Sequence, residues 1–262
     1  MSEESVNDKY LKSIEKAIDL LAKFSVPLYF KQGNYPVLYG TGFFVKYGND
    51  FFLVSAAHVF DMAKNDGLFF YSSPGVIRHL SGTMLRTSGE TDRNEDLIDI
   101  GVLKLSKDYK PPYPDVDKFA MVISYLRPGY RPRTGKNYVL IGFPATKSNL
   151  NRENATITAV PYAFRNSSIN ESKYHEHGLD PDTHLVLHVN LKKGFAADES
   201  HTHYPKPQGM SGAPIIAIYN EENDDDTDVF PVVAVATRFR SRSNILFGTD
   251  TGYVLDAIRN TY

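Results

Sequence analysis

The chain has 262 residues, with 29 basic and 31 acidic side chains, a formal net charge of −2 and 42% hydrophobic residues. These values fit a globular chain and exclude a collagen-like, coiled-coil or disordered one. The near-neutral balance also argues against a nucleic-acid or membrane-surface binder, which would need excess Lys and Arg. There is no cysteine, so disulfides, thiolate metal sites and a cysteine nucleophile are excluded.

Residues 5–24 read as one amphipathic helix. Leu11, Ile14, Ala17, Ile18 and Leu21 recur at steps of three and four, while Lys12, Glu15, Lys16, Asp19 and Lys23 take the other face. The pattern favours a helix packed on a barrel surface over one that docks a partner or a membrane. Its scattered charges leave no signal-peptide core, and no stretch of the chain approaches the roughly 20 apolar residues that cross a bilayer. The expected location is the cytoplasm, with no membrane partner.

Pro27 ends the helical pattern. Beyond it, strands are predicted at 28–30, 41–45, 51–55, 67–71, 98–105, 138–143, 156–163, 185–190, 213–219 and 232–237, each rich in aromatic or β-branched residues. Asn34, Gly48, Asn49 and Asp50 supply early turns. Many short strands with frequent turns point to an all-β fold of barrels or a sandwich. The Pro-rich stretch 107–114 and the Pro- and Arg-rich stretch 127–135 are breakers, the second a crossover between halves near residue 130. The acidic tract 221–228 reads as a solvated turn without the spaced ligands of a calcium loop. Residues 253–259 close the chain as a short helix.

Three local patterns could carry chemistry. An apolar strand ending in Ser55-Ala56-Ala57-His58 can hold an imidazole rigidly at a cleft, although such a histidine taken singly is more often structural. Asp99 opens the apolar run 100–105 and Asp96 precedes it; a carboxylate buried there requires donors. Asp99 is the better placed of the two, and substituting Asp96 is expected to do little. Gly209-Met210-Ser211-Gly212 permits a tight turn whose Gly209 and Ser211 N–H groups point together, as an oxyanion hole requires. Its glycine spacing and chain order differ from the nucleophile elbow of α/β-hydrolases.

The order His, Asp, Ser resembles the chymotrypsin-like serine peptidase family. Ala56-Ala57-His58, the run 99–105 and the run 209–214 match its three motifs, and the similarity spans roughly 38–258. The resemblance implies two six-stranded antiparallel β-barrels with the triad between them. An N-terminal helix would occupy 1–27, the first barrel with His58 and Asp99 28–130, and the second barrel with Ser211 131–262, including its closing helix. It also implies a Ser211 nucleophile, a His58 base, an Asp99 that orients the imidazole, and an oxyanion hole from the Gly209 and Ser211 amides. Thr237 would stand for a serine that supports the aspartate, with Arg238 and Phe239 bordering the primary substrate pocket.

The match also departs from the family. Met210 replaces an aspartate that many extracellular relatives pair with a newly cut N-terminus, which leaves open what orders the oxyanion turn and favours likeness to the intracellular or Deg-type bacterial branch. Pro205, six residues before Ser211, replaces the acid of the trypsin branch, so a basic cleavage-site residue is not supported. Two His-x-His pairs, His175 with His177 and His201 with His203, could bind zinc only if they met in space, and solvated histidines are favoured. The function expected is a serine endopeptidase acting on polypeptides without metal or cofactor. The alternatives are a throttled binding or sensor module on the same fold, and an esterase using the same groups. A regulatory protein partner is compatible with so compact a unit.

Overall fold

The computed structural model describes residues 6–62, 67–73, 76–87, 93–107, 119–131, 134, 136–153, 156–192, 194–195, 201–202, 205–218 and 230–261. Most of the 107–114 breaker, the acidic tract 221–228 and His203 lie outside these residues. Helix α1 (Val6–Phe24) leads into an eight-stranded sheet. Its strands are β1 (Ser25–Gln32), β2 (Tyr35–Tyr47), β3 (Asp50–Ala56), β4 (Phe69–Ser73), β5 (Val76–His79), β6 (Gly82–Arg86), β7 (Ile100–Leu105) and β8 (Ala120–Val122). The order is β5-β4-β1-β2-β3-β7-β6, with β8 running parallel to β2. A short helix, α2 (Ala57–Asp61), follows β3 directly.

The second half is a closed six-stranded barrel. It is built from β9 (Asn137–Gly142), β12 (Tyr162–Ser168), β13 (His184–His188), β16 (Pro214–Ile218), β17 (Val232–Arg240) and β18 (Ile245–Asp250), in the order β12-β13-β18-β17-β16-β9. Two small hairpins stand outside it: β10 (Asn149–Asn151) with β11 (Thr156–Thr158), and β14 (Gly194–Phe195) with β15 (His201–Thr202). Helix α3 (Gly252–Arg259) closes the chain. The all-β double-barrel architecture is therefore present, with one barrel closed by hydrogen bonds and the other an open, curled sheet. Among the described residues no helix is long and apolar enough to cross a membrane.

Period-2 alternation explains why so many strands read as unbroken apolar runs. In β9, Tyr138 and Leu140 fill the closed barrel, while Val139 and Ile141 face a core shared by both halves. β16 does the same with Ile215 and Ala217 inside and Ile216 and Ile218 outward. In the first sheet, Phe52 and Val54 join the shared core, and Leu53 packs into the interior with Leu103 and Leu105. Such strands have no solvent face, so they carry no polar alternation. Helix α1 adds Ala17 and Leu21 to the shared core, and α3 adds Val254 and Ile258. The helix thus covers the barrel surface as the periodicity predicts.

Some boundaries differ from the sequence reading. The run 156–163 is divided into β11 and β12, with Pro161 lying between them. The strand predicted from residue 98 begins at Ile100, because Asp99 leaves extended geometry with φ +51°. Two bulges sit at the seam between the halves. Tyr39 is skipped in the β1–β2 register, and Thr237 is skipped in the β17–β18 register. A bulge re-aims a side chain and breaks pairing, and both of these residues line the same cleft.

Candidate active site

His58 occupies the first turn of α2, immediately after β3 has carried the chain through the core. Its backbone N–H donates to Asp99 Oδ1 at 2.9 Å, and its Nδ1 lies 2.6 Å from Asp99 Oδ2. A carboxylate oxygen accepts, so Nδ1 is the donor of this bond and Nε2 is the ring nitrogen left without a partner in it. The Asp99 side chain is 1% exposed and that of His58 29%, so the carboxylate is sealed behind an imidazole that reaches solvent. Tyr39 meets the His58 ring edge-on, with centroids 6.5 Å apart. Burial, and then the charges of Asp61 and Asp99, push the Tyr39 hydroxyl above its ordinary value.

The left-handed backbone of Asp99 is one that aspartate tolerates better than most residues. It is held from several sides. Asp96 Oδ1 accepts the N–H groups of Asp99 (2.9 Å) and Ile98 (3.1 Å), and Asp99 O accepts from Ala57 N. Asp96 Oδ2 takes the Thr87 hydroxyl (2.6 Å) and Arg93 (2.7 Å), and Arg93 continues to Asp61, which also binds Arg86. Asp96 is therefore a built-in cap of the loop that carries Asp99, with more partners than its sequence reading as an understudy of Asp99 gave it. Burial pushes its carboxyl up, but the Thr87, Asp99 and Arg93 hydrogen bonds and the Arg93 charge outweigh this and hold it below the usual carboxylate value. From the second half, Thr249 Oγ1 donates to Ile98 O at 2.6 Å and His184 Nε2 to Leu97 O at 3.1 Å.

Ser211 lies in a turn whose carbonyls are each engaged. Gln208 O accepts from Ala145 N (2.8 Å), Gly209 O from the Thr41 hydroxyl (2.8 Å), Met210 O from Ala213 N (3.0 Å) and Ser211 O from Thr41 N (2.8 Å). Met210 N is tied to Pro207 O, and Gly212 N to Ala236 O. The amides of Gly209 and Ser211 donate to nothing among the described residues. A trans peptide sets its N–H opposite its C=O, so anchoring Gln208 O and Met210 O turns these two amides away from the protein. Gly209 and Gly212 both have φ +90°, and a Cβ on Gly212 would strike Thr41 O and Ser55 Oγ. Only glycine fits there.

A cleft of about 480 Å³ joins these parts. Tyr39, His58, Asp61 and Arg93 line it from the first half; Gln208, Ser211, Thr237 and Arg238 line it from the second, with an apolar wall of Pro207, Met210, Ala236, Phe239 and Leu246. The Ser211 hydroxyl donates to Thr237 O at 3.4 Å rather than to His58. Two sequence expectations need correction. Thr237 does not support Asp99; its buried hydroxyl donates to Phe247 O at 3.3 Å, because the bulge turns it toward β18. Pro205 is buried and is not among the cleft-lining residues; the loop turns into the cleft two residues later, at Pro207. Arg238 and Phe239 do border the cleft.

Sequence reasoning missed Asp61 and Arg93, which come from positions that match no motif by themselves, and took Thr41 only as the start of the strand pattern that leads to His58, with no role of its own. His175 and His177 lie on the 3-10 turn Glu171–His177, and no group of three or more metal-ligating side chains occurs among the described residues.

No protein-family model matches this sequence, and no curated protein matches it. Solved structures do. The structure of GrC superposes with a TM-score of 0.57 at 12% identity, covering 91% of this chain and 93% of that one. Neuropsin, a serine protease expressed in the limbic system of mouse brain, gives 0.56 at 12% identity over 91% and 94%. A serine endoprotease from Yersinia pestis gives 0.52 at 14% identity, over 99% of this chain and 67% of that one. With its closed barrel, curled partner sheet and cleft at their seam, the chain has the double-barrel fold of the chymotrypsin-like serine proteases.

Proposed function

We propose that the protein is a serine endopeptidase working through Ser211, His58 and Asp99. The observation that carries this reading is the pair of undonated amides, Gly209 and Ser211, beside a serine hydroxyl in a cleft shared with an Nδ1-anchored imidazole. His58 Nε2 takes the Ser211 proton as Oγ attacks the substrate carbonyl carbon, after a change in the Ser211 rotamer that releases it from Thr237 O. The carbonyl electron pair moves to oxygen, where the two amides receive it; one such donor is worth about 3 kcal/mol in comparable sites. The imidazolium, stabilised by Asp99, returns the proton to the leaving amine and an acyl-enzyme remains. Water then repeats the sequence. Asp99 meets the ring at Nδ1 and the His58 backbone N–H with its other oxygen, so it sets both tautomer and orientation.

The substrate class follows from the cleft. Over residues 237–240, β17 has β18 as its strand partner among the described residues, and its ladder with β16 lies at 232–235. An extended peptide can add beside Thr237–Phe239 through main-chain hydrogen bonds. The wall of Pro207, Met210, Phe239 and Leu246 suits an apolar side chain next to the scissile bond and offers no carboxylate to a basic one.

A fluorophosphonate probe tests the reading. Wild-type protein is expected to be labelled at Ser211, with no labelling in Ser211→Ala and a sharp fall in His58→Ala. Asp99→Asn is expected to lower turnover by about four decades through the wrong tautomer. Well-folded but unlabelled protein would favour a binding module, the reading that the Ser211–Thr237 hydrogen bond supports. Rapid ester cleavage with no peptide cleavage would favour an esterase.

A further inference from the structure

The oxyanion turn raises a question of its own: what keeps it open when the residue before the serine is Met210 rather than a charge? Met210 is 1% exposed and packs inside the closed barrel with Tyr138, Leu140 and Ala213. Its side chain thus anchors the turn from below by apolar contact. Nothing apolar, however, decides which way a peptide plane faces. That takes hydrogen bonds to specific carbonyls, and two of the four come from one residue in the other half of the molecule.

Thr41 is completely buried, at 0% exposure. Every polar atom it has is committed at the seam. Its N–H donates to Ser211 O (2.8 Å), its hydroxyl donates to Gly209 O (2.8 Å) and accepts from Phe143 N (3.0 Å), and its carbonyl accepts from the Ser55 hydroxyl (2.7 Å). The register of β2 frees it for this. Its partner on β1 is Pro27, which has no N–H to give, and the ladder with β3 begins only at Phe43. Thr41 therefore lies in a strand yet spends its hydrogen bonds on the nucleophile turn. Fixing Gly209 O and Ser211 O from one side sets the two peptide planes that flank the Met210–Ser211 peptide, the plane that carries the Ser211 amide.

We propose that Thr41 is the positioning residue that holds the Gly209–Ser211 turn with its two free amides facing the cleft. The turn is held by a neutral hydroxyl, no ion pair being made by residues 208–212 to the described residues, and its geometry is tied to the placement of one half of the fold against the other. The catalytic part of this claim rests on the proposed peptidase reading; the ordering part does not.

Thr41→Val keeps the shape and removes the hydroxyl, leaving Gly209 O and Phe143 N without a partner, while Thr41→Ser keeps the hydroxyl. A misplaced oxyanion donor costs roughly 10²-fold or more in turnover, so Thr41→Val is expected to lower kcat by about that factor with KM within about twofold. Thr41→Ser is expected to restore most of it. Independently of activity, hydrogen exchange of the Met210 and Gly212 amides should quicken in Thr41→Val and stay near wild type in Thr41→Ser. If valine unfolds the chain, Thr41→Ala serves in its place. Wild-type kcat and unchanged exchange in the hydroxyl-free variant would overturn the proposal, as would a Thr41→Ser as impaired as Thr41→Val. A wild-type protein that neither cleaves nor labels would sink the peptidase reading alone, and the exchange measurement would still decide the role of Thr41.

Discussion

Asp96 shows how much one side chain can do without touching a substrate. Four groups converge on its carboxylate, two of them the amides of Ile98 and Asp99 that set the left-handed turn at Asp99. Asp96→Ala removes them all and strands buried donors, at about 1–3 kcal/mol for each one left unsatisfied. Unfolding free energy in denaturant titration is expected to fall by at least that much, with kcat falling more than KM rises; unchanged stability and kcat would refute the role. The direction of the acid response follows from its lowered carboxyl pKa. A group with a depressed folded-state pKa contributes stability above its unfolded value, near 3.8, and loses it as pH falls through the folded value. The loss expected of Asp96 is thus confined to strongly acidic solution, and neutral or mildly acidic pH leaves the cap intact.

Among elements, the β13–β18 pair reaches across the seam from the closed barrel. His184 and Thr249 are register partners on these strands, and together they hold the adjacent carbonyls of Leu97 and Ile98. Two neighbouring hydrogen bonds from a closed barrel are a stiff mount, because the barrel has no free edge along which to yield. Thr249→Val keeps volume and removes one of them, leaving Ile98 O unpaired. The expected outcome is about 1–3 kcal/mol less stability in denaturant titration, with faster exchange at the Asp99 amide but not at Met210, which belongs to the other support. Equal acceleration at both amides would show that the two mounts are not independent. Bulges matter as much as regular pairing. Both Tyr39 and Thr237 are skipped residues in otherwise continuous ladders, and it is their departure from alternation that puts them at the cleft.

At the scale of the whole molecule, the shared core is the structural reason the site exists. Residues from α1, the first sheet, the closed barrel and α3 meet in one apolar cluster, so the halves cannot slide without breaking it. Leu21, 1% exposed on α1, belongs to that cluster and is not among the residues that line the cleft. Leu21→Ala is expected to cost about 2–5 kcal/mol and to leave a single calorimetric transition, because both halves share what it removes. Two separated transitions would show that the halves fold independently.

Much of this was legible in the residues. Apolar runs marked the strands because each is buried on both faces, the 3–4 spacing of Ala17, Ile18 and Leu21 marked a covering helix, and local motifs around His58 and Ser211 singled out two residues that line the cleft, with the Asp99 of a third motif buried behind the imidazole. Those signals are local, encoded within a few neighbouring positions by side-chain period and turn chemistry. The supports are not local. Thr41 meets Gly209 across 168 positions and Thr249 meets Ile98 across 151, and nothing in the spelling of either segment announces the other. The bulge that turned Thr237 away from Asp99, and the loop that put Pro207 rather than Pro205 at the cleft, were likewise decided by how strands register against one another. A hydrogen bond has meaning only once both partners have a place, and that place comes from packing two halves around one core.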